Sequence, residues 1–359
     1  MLQGTHEIIV FSSFLLFIFT MLALDLGVFN KKSHVPSFRE ALSWTIVWVT
    51  ISIAFYLLIR FFGDELHDLN DLEGIKANIL KYHHPIKIDG LLFQDAISLY
   101  NRNLSLEYLT GYLIEYSLSV DNIFVIIMIF MSFNIQTRYY HKILFWGILG
   151  AIVMRFIFIF AASALIQRFE GVLYIFGGFL ILIGAKMGWE FFTKKDEDKI
   201  DPHNHPFVRF ISRHLPVTST DKGASFWVKE NGKFFITPLL IVLLLIEFFD
   251  VIFAIDSVPA VFSVTSDPFI VFFSNIFAIL GLRSLFFLVN NVIDLFHYLK
   301  LGLAFLLTYV GAKMIATLAF DLHFSSKISL GIIIGILAVF MLISIVFPKK
   351  KIGKIEDRR

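Results

Sequence analysis

The sequence predicts an all-α, polytopic membrane protein with about nine transmembrane helices forming a single transmembrane domain over 1–359, six of them in an inverted repeat of three-helix units. Three observations carry this. Apolar residues make up 57% of the 359, 43 residues are Phe and only 17% are charged, which is more apolar surface than a soluble domain of this length has a use for. Nine apolar stretches approach the roughly 20 residues that cross a bilayer: 8–29, 41–62, 105–132, 143–165, 171–192, 235–263, 269–290, 299–320 and 329–347. An acidic motif also occurs twice inside them: Glu115 and Asp121 in the third stretch, Asp250 and Asp256 in the sixth, each pair six residues apart.

The first stretch lacks a basic leader, contains Asp25 and is followed by further spans, so it is expected to be a retained helix and not a cleaved signal. Lys31, Lys32 and Arg39 follow it; Arg138 and Lys142 follow the third stretch; Lys194, Lys195, Lys199, Arg209 and Arg213 follow the fifth; Lys349 to Lys351 follow the ninth. Basic residues gather on the cytoplasmic side, which sets the N-terminus outside and the C-terminus in the cytoplasm. The segment 63–103 is acid-leaning (Asp64, Glu65, Asp68, Asp71, Glu73, Asp89, Asp95), as an external loop tolerates. The net charge of +2 is uninformative about partners, and no nucleic-acid partner is expected. Cysteine is absent, which removes disulfides, thiolate metal sites and cysteine nucleophiles together.

Repetition extends past the acids. After Glu115 and Asp121 come Arg155 and then Gly184-Ala185-Lys186-Met187; after Asp250 and Asp256 come Arg283 and then Gly311-Ala312-Lys313-Met314. The units are 105–192 and 235–320, joined by a hydrophilic cytoplasmic linker loop, 193–234. Each unit has an odd number of spans, so the second copy enters the membrane from the opposite side. Transporters built this way place a site near the midplane between the halves.

Each ionised acid at mid-bilayer costs roughly 2.5–3.5 kcal/mol, so interior partners are required. Six acids (Asp25, Glu115, Asp121, Glu247, Asp250, Asp256) face four cations (Arg155, Lys186, Arg283, Lys313) within the spans. A structural reading treats the cations as buried counter-ions. The surplus of two acids suits a divalent cation, and protonation of two carboxyls balances it equally well. Residues six apart on a straight helix lie about 9 Å apart along the axis and about 120° apart around it. A shared ion therefore predicts unwinding near 117–122 and 254–259, where Pro259 removes a backbone donor and Ser117, Ser119, Asn122 and Ser257 re-satisfy backbone groups. Oxygen-rich surroundings without Cys or a mid-span His favour hard cations such as Mn²⁺, Ca²⁺ and Mg²⁺. The loop histidines His83, His84, His203, His205 and His214 are expected to be solvated. No phosphate loop, catalytic triad or zinc-protease signature is present, so no enzyme activity is expected.

The segments Glu115 to Phe124, Glu247 to Ala260 and Ser274 to Arg283, with Asp25-Leu26 and Asn231-Gly232, resemble the signature segments of the TerC family, in particular its Alx-like branch. The resemblance implies a multi-pass inner-membrane (plasma-membrane) protein associated with tellurite resistance and manganese export. Carried over position by position, it implies transport-site residues Glu115, Asp121, Asn122, Glu247, Asp250, Asp256 and Ser257. Arg155, Lys186, Arg283 and Lys313 would set the charge balance. The expected function is export of a divalent cation, Mn²⁺ first and Ca²⁺ second, by alternating access. No cofactor is required, the lipid bilayer is the surrounding partner, and protons are the leading coupling ion. Two other classes stand beside it: a membrane assembly or scaffold protein with structural ion pairs, and an oxyanion transporter using the four cations as ligands. The sequence sets no oligomeric state.

Overall fold

The computed structural model describes residues 5–29, 36–133, 135–169, 171–193, 225–230, 233–292, 298–320 and 326–347, with 208, 213, 216 and 217 from the segment between. Eleven helices and one hairpin are described: α1 (Thr5–Phe29), α2 (Phe38–Phe62), α3 (Leu72–Tyr82), α4 (Phe93–Ser132), α5 (Tyr140–Arg168), α6 (Val172–Thr193), the strands β1 (Trp227–Glu230) and β2 (Lys233–Ile236), then α7 (Pro238–Phe262), α8 (Pro268–Leu280), α9 (Leu282–Val292), α10 (Leu299–Phe320) and α11 (Ser326–Val346). Each apolar stretch read from the sequence coincides largely with helix, 269–290 being divided between α8 and α9 and 235–263 beginning in β2, and the protein is a polytopic all-α membrane protein. Among the described residues seven helices are long and apolar enough to cross a membrane, eight if the bent pair α8 and α9 is one span; α1 contributes a shorter apolar stretch, Ile9–Met21. The antiparallel hairpin falls in the segment expected to be only a loop. His203, His205 and His214 lie outside the described residues.

Large apolar side chains on the outside, such as Phe61, Leu182 and Phe192, are about 70% exposed. Such a surface is stable against lipid and not against water. At the centre stand α4 and α8. All thirteen residues of α8 are buried, and its rings stack against two neighbours: Phe273 lies 4.2 Å from Phe14 of α1, and Phe277 lies 4.7 Å from Phe55 of α2. Much of the Phe content is thus aromatic packing between helices. The 40 residues of α4 make about 60 Å of helix, twice the hydrocarbon thickness. Its first turns therefore extend past the lipid, where the short 3-10 turn Gly63–His67 and α3 pack on it.

The expected unwinding near 117–122 and 254–259 is not found: α4 and α7 run through these segments without a break. Ser117 Oγ donates to the carbonyl of Leu113 at 2.6 Å, within the helix, so it reinforces the turn it was expected to release. Pro259 stands three residues from the end of α7, so its missing donor affects only the last turn. The break occurs instead at Gly281, where α8 and α9 meet at 44°.

The helices carrying the two Gly-Ala-Lys-Met segments, α6 and α10, lie directly against each other. A Cβ on Gly311 would stand 2.5 Å from the carbonyl oxygen of Gly177, and one on Gly184 would stand 2.7 Å from that of Ala304. The later residue of α6 meets the earlier residue of α10, so the two helices are antiparallel. Small residues permit this approach, which supplies dispersion contacts where lipid offers no hydrophobic driving force. Gly311→Ala should destabilise the detergent-solubilised protein by about 1–3 kcal/mol through overpacking. Gly178→Ala, whose Cβ meets nothing within 4 Å, should be neutral or stabilising by about 0.5–1 kcal/mol. Comparative thermal melts check the pair.

Candidate functional site

Glu115 sits midway along α4 and is fully buried. It is reached from three other helices. Arg155 Nη1 of α5 lies 2.5 Å from Glu115 Oε1, a salt bridge with both side chains at most 1% exposed. Asn275 of α8 donates from Nδ2 to Glu115 Oε2 at 3.1 Å and accepts from Arg155 Nη1 at 3.0 Å. Ser257 of α7 accepts from the same Nη1 at 2.7 Å. Asp250, two turns earlier on α7, is close enough for its charge to act on both Glu115 and Arg155; its Oδ2 is buried without a hydrogen-bond partner among the described residues.

Two glycines allow this convergence. Gly111, one turn before Glu115, leaves room for Ser274 Oγ and Val261, whose approach to a Cβ would be 2.9 and 3.0 Å. That contact lets α7 and α8 close on α4 and brings Asn275 to the carboxylate. At Gly150 of α5 the carboxylate of Glu247 fills the space a Cβ would take. Any larger residue there would displace Glu247, which is half-buried on α7.

The residues expected from the sequence therefore divide. Glu115, Asp250, Ser257 and Arg155 come together, and Glu247 lies beside α5. Asn122 is half-buried on α4. The side chains of Asp25, Asp121 and Asp256 lie outside the described residues. Arg283 is buried at the start of α9, just past the bend. Lys186 departs from the expectation: its side chain is 77% exposed and pairs at 3.8 Å with Glu190 on its own helix, so it does not balance the interior acids. Its face of α6 points away from the bundle, a side that the sequence spacing alone does not reveal. Lys313 is half-buried on α10, within electrostatic reach of Glu107. Asn275 was not in the expected set. The signal for it was present, since it lies eight residues before Arg283 in a stretch that otherwise carries no hydrogen-bonding amide.

A second buried polar group lies at the N-terminal end of α4. His84, expected to be solvated, is buried, with Nδ1 3.0 Å from the Glu107 carboxylate; both side chains are fully enclosed. Asn103 donates to Glu107 Oε1 at 2.6 Å. His67 Nε2 lies 2.8 Å from Asp267 Oδ2, while Asp267 Oδ1 caps α8 by accepting from the Phe269 N–H at 2.9 Å. Tyr100 OH donates to Asn78 Oδ1 of α3 at 2.9 Å. These bonds fasten segment 63–92 across the ends of α4 and α8. Neither His67 nor Glu107 stands out in the sequence, since each lacks a repeat partner.

A protein-family model described as "Integral membrane protein TerC family" matches residues 100–352. An uncharacterized membrane protein of Myxococcus xanthus is 41% identical over 336 residues, covering 93% of this chain and 91% of that one. The Alx proteins of Salmonella typhi and Escherichia coli K12, each named as a candidate membrane-bound redox modulator, are 39% identical; the match covers 94% of both chains for the former and 90% of both for the latter. No solved structure matches the chain.

The His84–Glu107 and His67–Asp267 pairs make stability pH-dependent. Burial, the largest influence on His84, opposes its proton, but the Glu107 carboxylate outweighs burial and raises its pKa above the ordinary 6.5. Burial pushes Asp267 up, yet the His67 charge and hydrogen bond, with His84 and the Phe269 N–H, bring it below the ordinary 3.8. A raised histidine stabilises fully below about pH 6.5 and loses that contribution as pH rises through its folded value; a lowered carboxyl loses its contribution as pH falls. Melting temperature should therefore decline on both sides of a plateau. His84→Gln should flatten the alkaline limb and Asp267→Asn the acid limb, as a melt series across pH would show.

Proposed function

The chain belongs to the integral membrane protein TerC family, and on that premise we propose that it exports a divalent cation, Mn²⁺ first, across the inner membrane with its N-terminus outside and its C-terminus in the cytoplasm. The observation that carries the reading is that Glu115 and Asp250, one acid from each copy of the duplicated motif, lie within electrostatic reach of each other in the interior. Oxygen donors of this kind suit hard cations. The two motifs belong to units 105–192 and 235–320, read as an inverted repeat. Two features support that reading: α6 and α10 pack antiparallel through matched small residues, and α4 packs on α8 while α5 packs on α7.

Alternating access follows from rocking one unit against the other about this group, with protons as the leading coupling ion. The cations do not support an oxyanion site, because Arg155 is committed to Glu115 and Lys186 lies on the outside. The name of the relatives called redox modulators fits this reading: with no cysteine to supply thiol chemistry, this chain would influence redox state through the redox-active metal it moves. A scaffold protein would keep the Glu115–Arg155 pair but would transport nothing.

In inside-out vesicles Glu115→Gln, Asp121→Asn, Asp250→Asn and Asp256→Asn should each reduce Mn²⁺ uptake by about tenfold or more. Membrane insertion should be retained by the three Asp→Asn variants, because removing an acid lowers its cost, whereas Glu115→Gln leaves Arg155 buried without its counter-ion and should also lower stability. Normal uptake by all four would leave the acids as structural groups and favour the scaffold.

A further inference from the structure

Arg155 Nη1 has an unusual environment for a hydrogen-bond donor. Three oxygens from three helices surround it: Glu115 Oε1 at 2.5 Å, Ser257 Oγ at 2.7 Å and Asn275 Oδ1 at 3.0 Å. A guanidinium Nη has two N–H groups, so three oxygens exceed what its hydrogens serve. A carboxylate, a hydroxyl and an amide carbonyl converging on one positive centre are instead the donor set of a hard metal ion. Nearby, the buried Asp250 Oδ2 lacks a hydrogen-bond partner among the described residues.

We propose, building on the export reading, that Arg155 Nη1 marks the position of the transported cation: the guanidinium is the resident cation of the empty carrier, and the metal binds by displacing it, with Asn275 Oδ1 and Ser257 Oγ joining Glu115 as ligands. Formal charge supports the exchange. Glu115 and Asp250 carry two negative charges between them; Arg155 balances one, and a divalent ion balances both. Asn275 serves both states. Its Nδ2 holds Glu115 Oε2, which keeps Oε1 turned to the cation position, and its Oδ1 faces whichever cation is there.

Displacement also ties binding to movement. Arg155 and Glu115 belong to the first unit, whereas Ser257 and Asn275 belong to the second, so the guanidinium bridges the two. Release of Arg155 breaks two hydrogen bonds across that boundary just as the metal forms replacements. The arrangement is one-sided: aligning Arg155 with Arg283 places Gly147 opposite Asn275. One cage of this kind is therefore expected and not two.

The test uses full-length purified protein, with Mn²⁺ binding read from loss of the aqueous Mn²⁺ paramagnetic resonance signal and export read in inside-out vesicles. Arg155→Gln removes the competitor. It should bind Mn²⁺ about tenfold or more tightly than the parent, since a unit charge a few Å away has at least that effect, while export at saturating Mn²⁺ falls. Asn275→Leu keeps the Arg155–Glu115 pair and removes a ligand, so binding should weaken about tenfold or more with the protein still folded. An Arg155 that is only structural would give weaker binding in Arg155→Gln, and that result overturns the displacement. Unchanged binding in Asn275→Leu also overturns it, and this variant decides the matter if Arg155→Gln does not fold. A parent that binds and exports Mn²⁺ beside either of those results leaves the export reading standing. A parent that binds no Mn²⁺ overturns both readings.

Discussion

A carboxylate in the middle of a membrane bundle must have a partner, and the Glu115–Arg155 bridge is the constraint around which the interior is arranged. Neither ion is tolerable alone in that setting. Satisfying both recruits Asn275 and Ser257, so four helices, α4, α5, α7 and α8, must meet at one place. The packing follows from that demand. Gly111 lets α7 and α8 reach α4, and Gly150 leaves space for the Glu247 carboxylate. A polar group of this kind specifies which helices are neighbours more sharply than apolar packing does, because a shift of one turn would leave a buried charge unmatched.

Two further sets of contacts fix the surroundings. On one side α6 and α10 meet backbone to backbone through Gly177, Gly184 and Gly311. On the other, α1 and α2 hold α8 through interlocked Phe rings. Neither set involves a charge, and neither touches the acids.

Segment 63–92 adds a third device. Its His67 and His84 reach carboxylates at the ends of α8 and α4, and Asp267 both pairs with His67 and caps α8. Since α8 also carries Asn275, about 12 Å along the same helix, this fastening and the interior bridge share one fully buried helix.

The sequence by itself determined the all-α membrane class and the family, because hydropathy over about 20 residues and a long duplicated motif are local properties that survive without coordinates. It also singled out Glu115, Asp250 and Arg155, since charge inside an apolar run is conspicuous, while Ser257 came only from the family resemblance. What it did not determine was how the acids are served. The expected unwinding rested on both acids of a six-residue pair meeting one ion. In the structure Glu115 is instead served by Arg155 and Asn275 from neighbouring helices, while α4 and α7 stay continuous and the bend falls at Gly281. Only the fold shows that Lys186 faces outward, that His84 is enclosed and that Asn275 joins the site. These are facts about which face of a helix meets which neighbour. Where nearly every position is apolar, hydrophobic periodicity no longer reports that face, and only packing decides it.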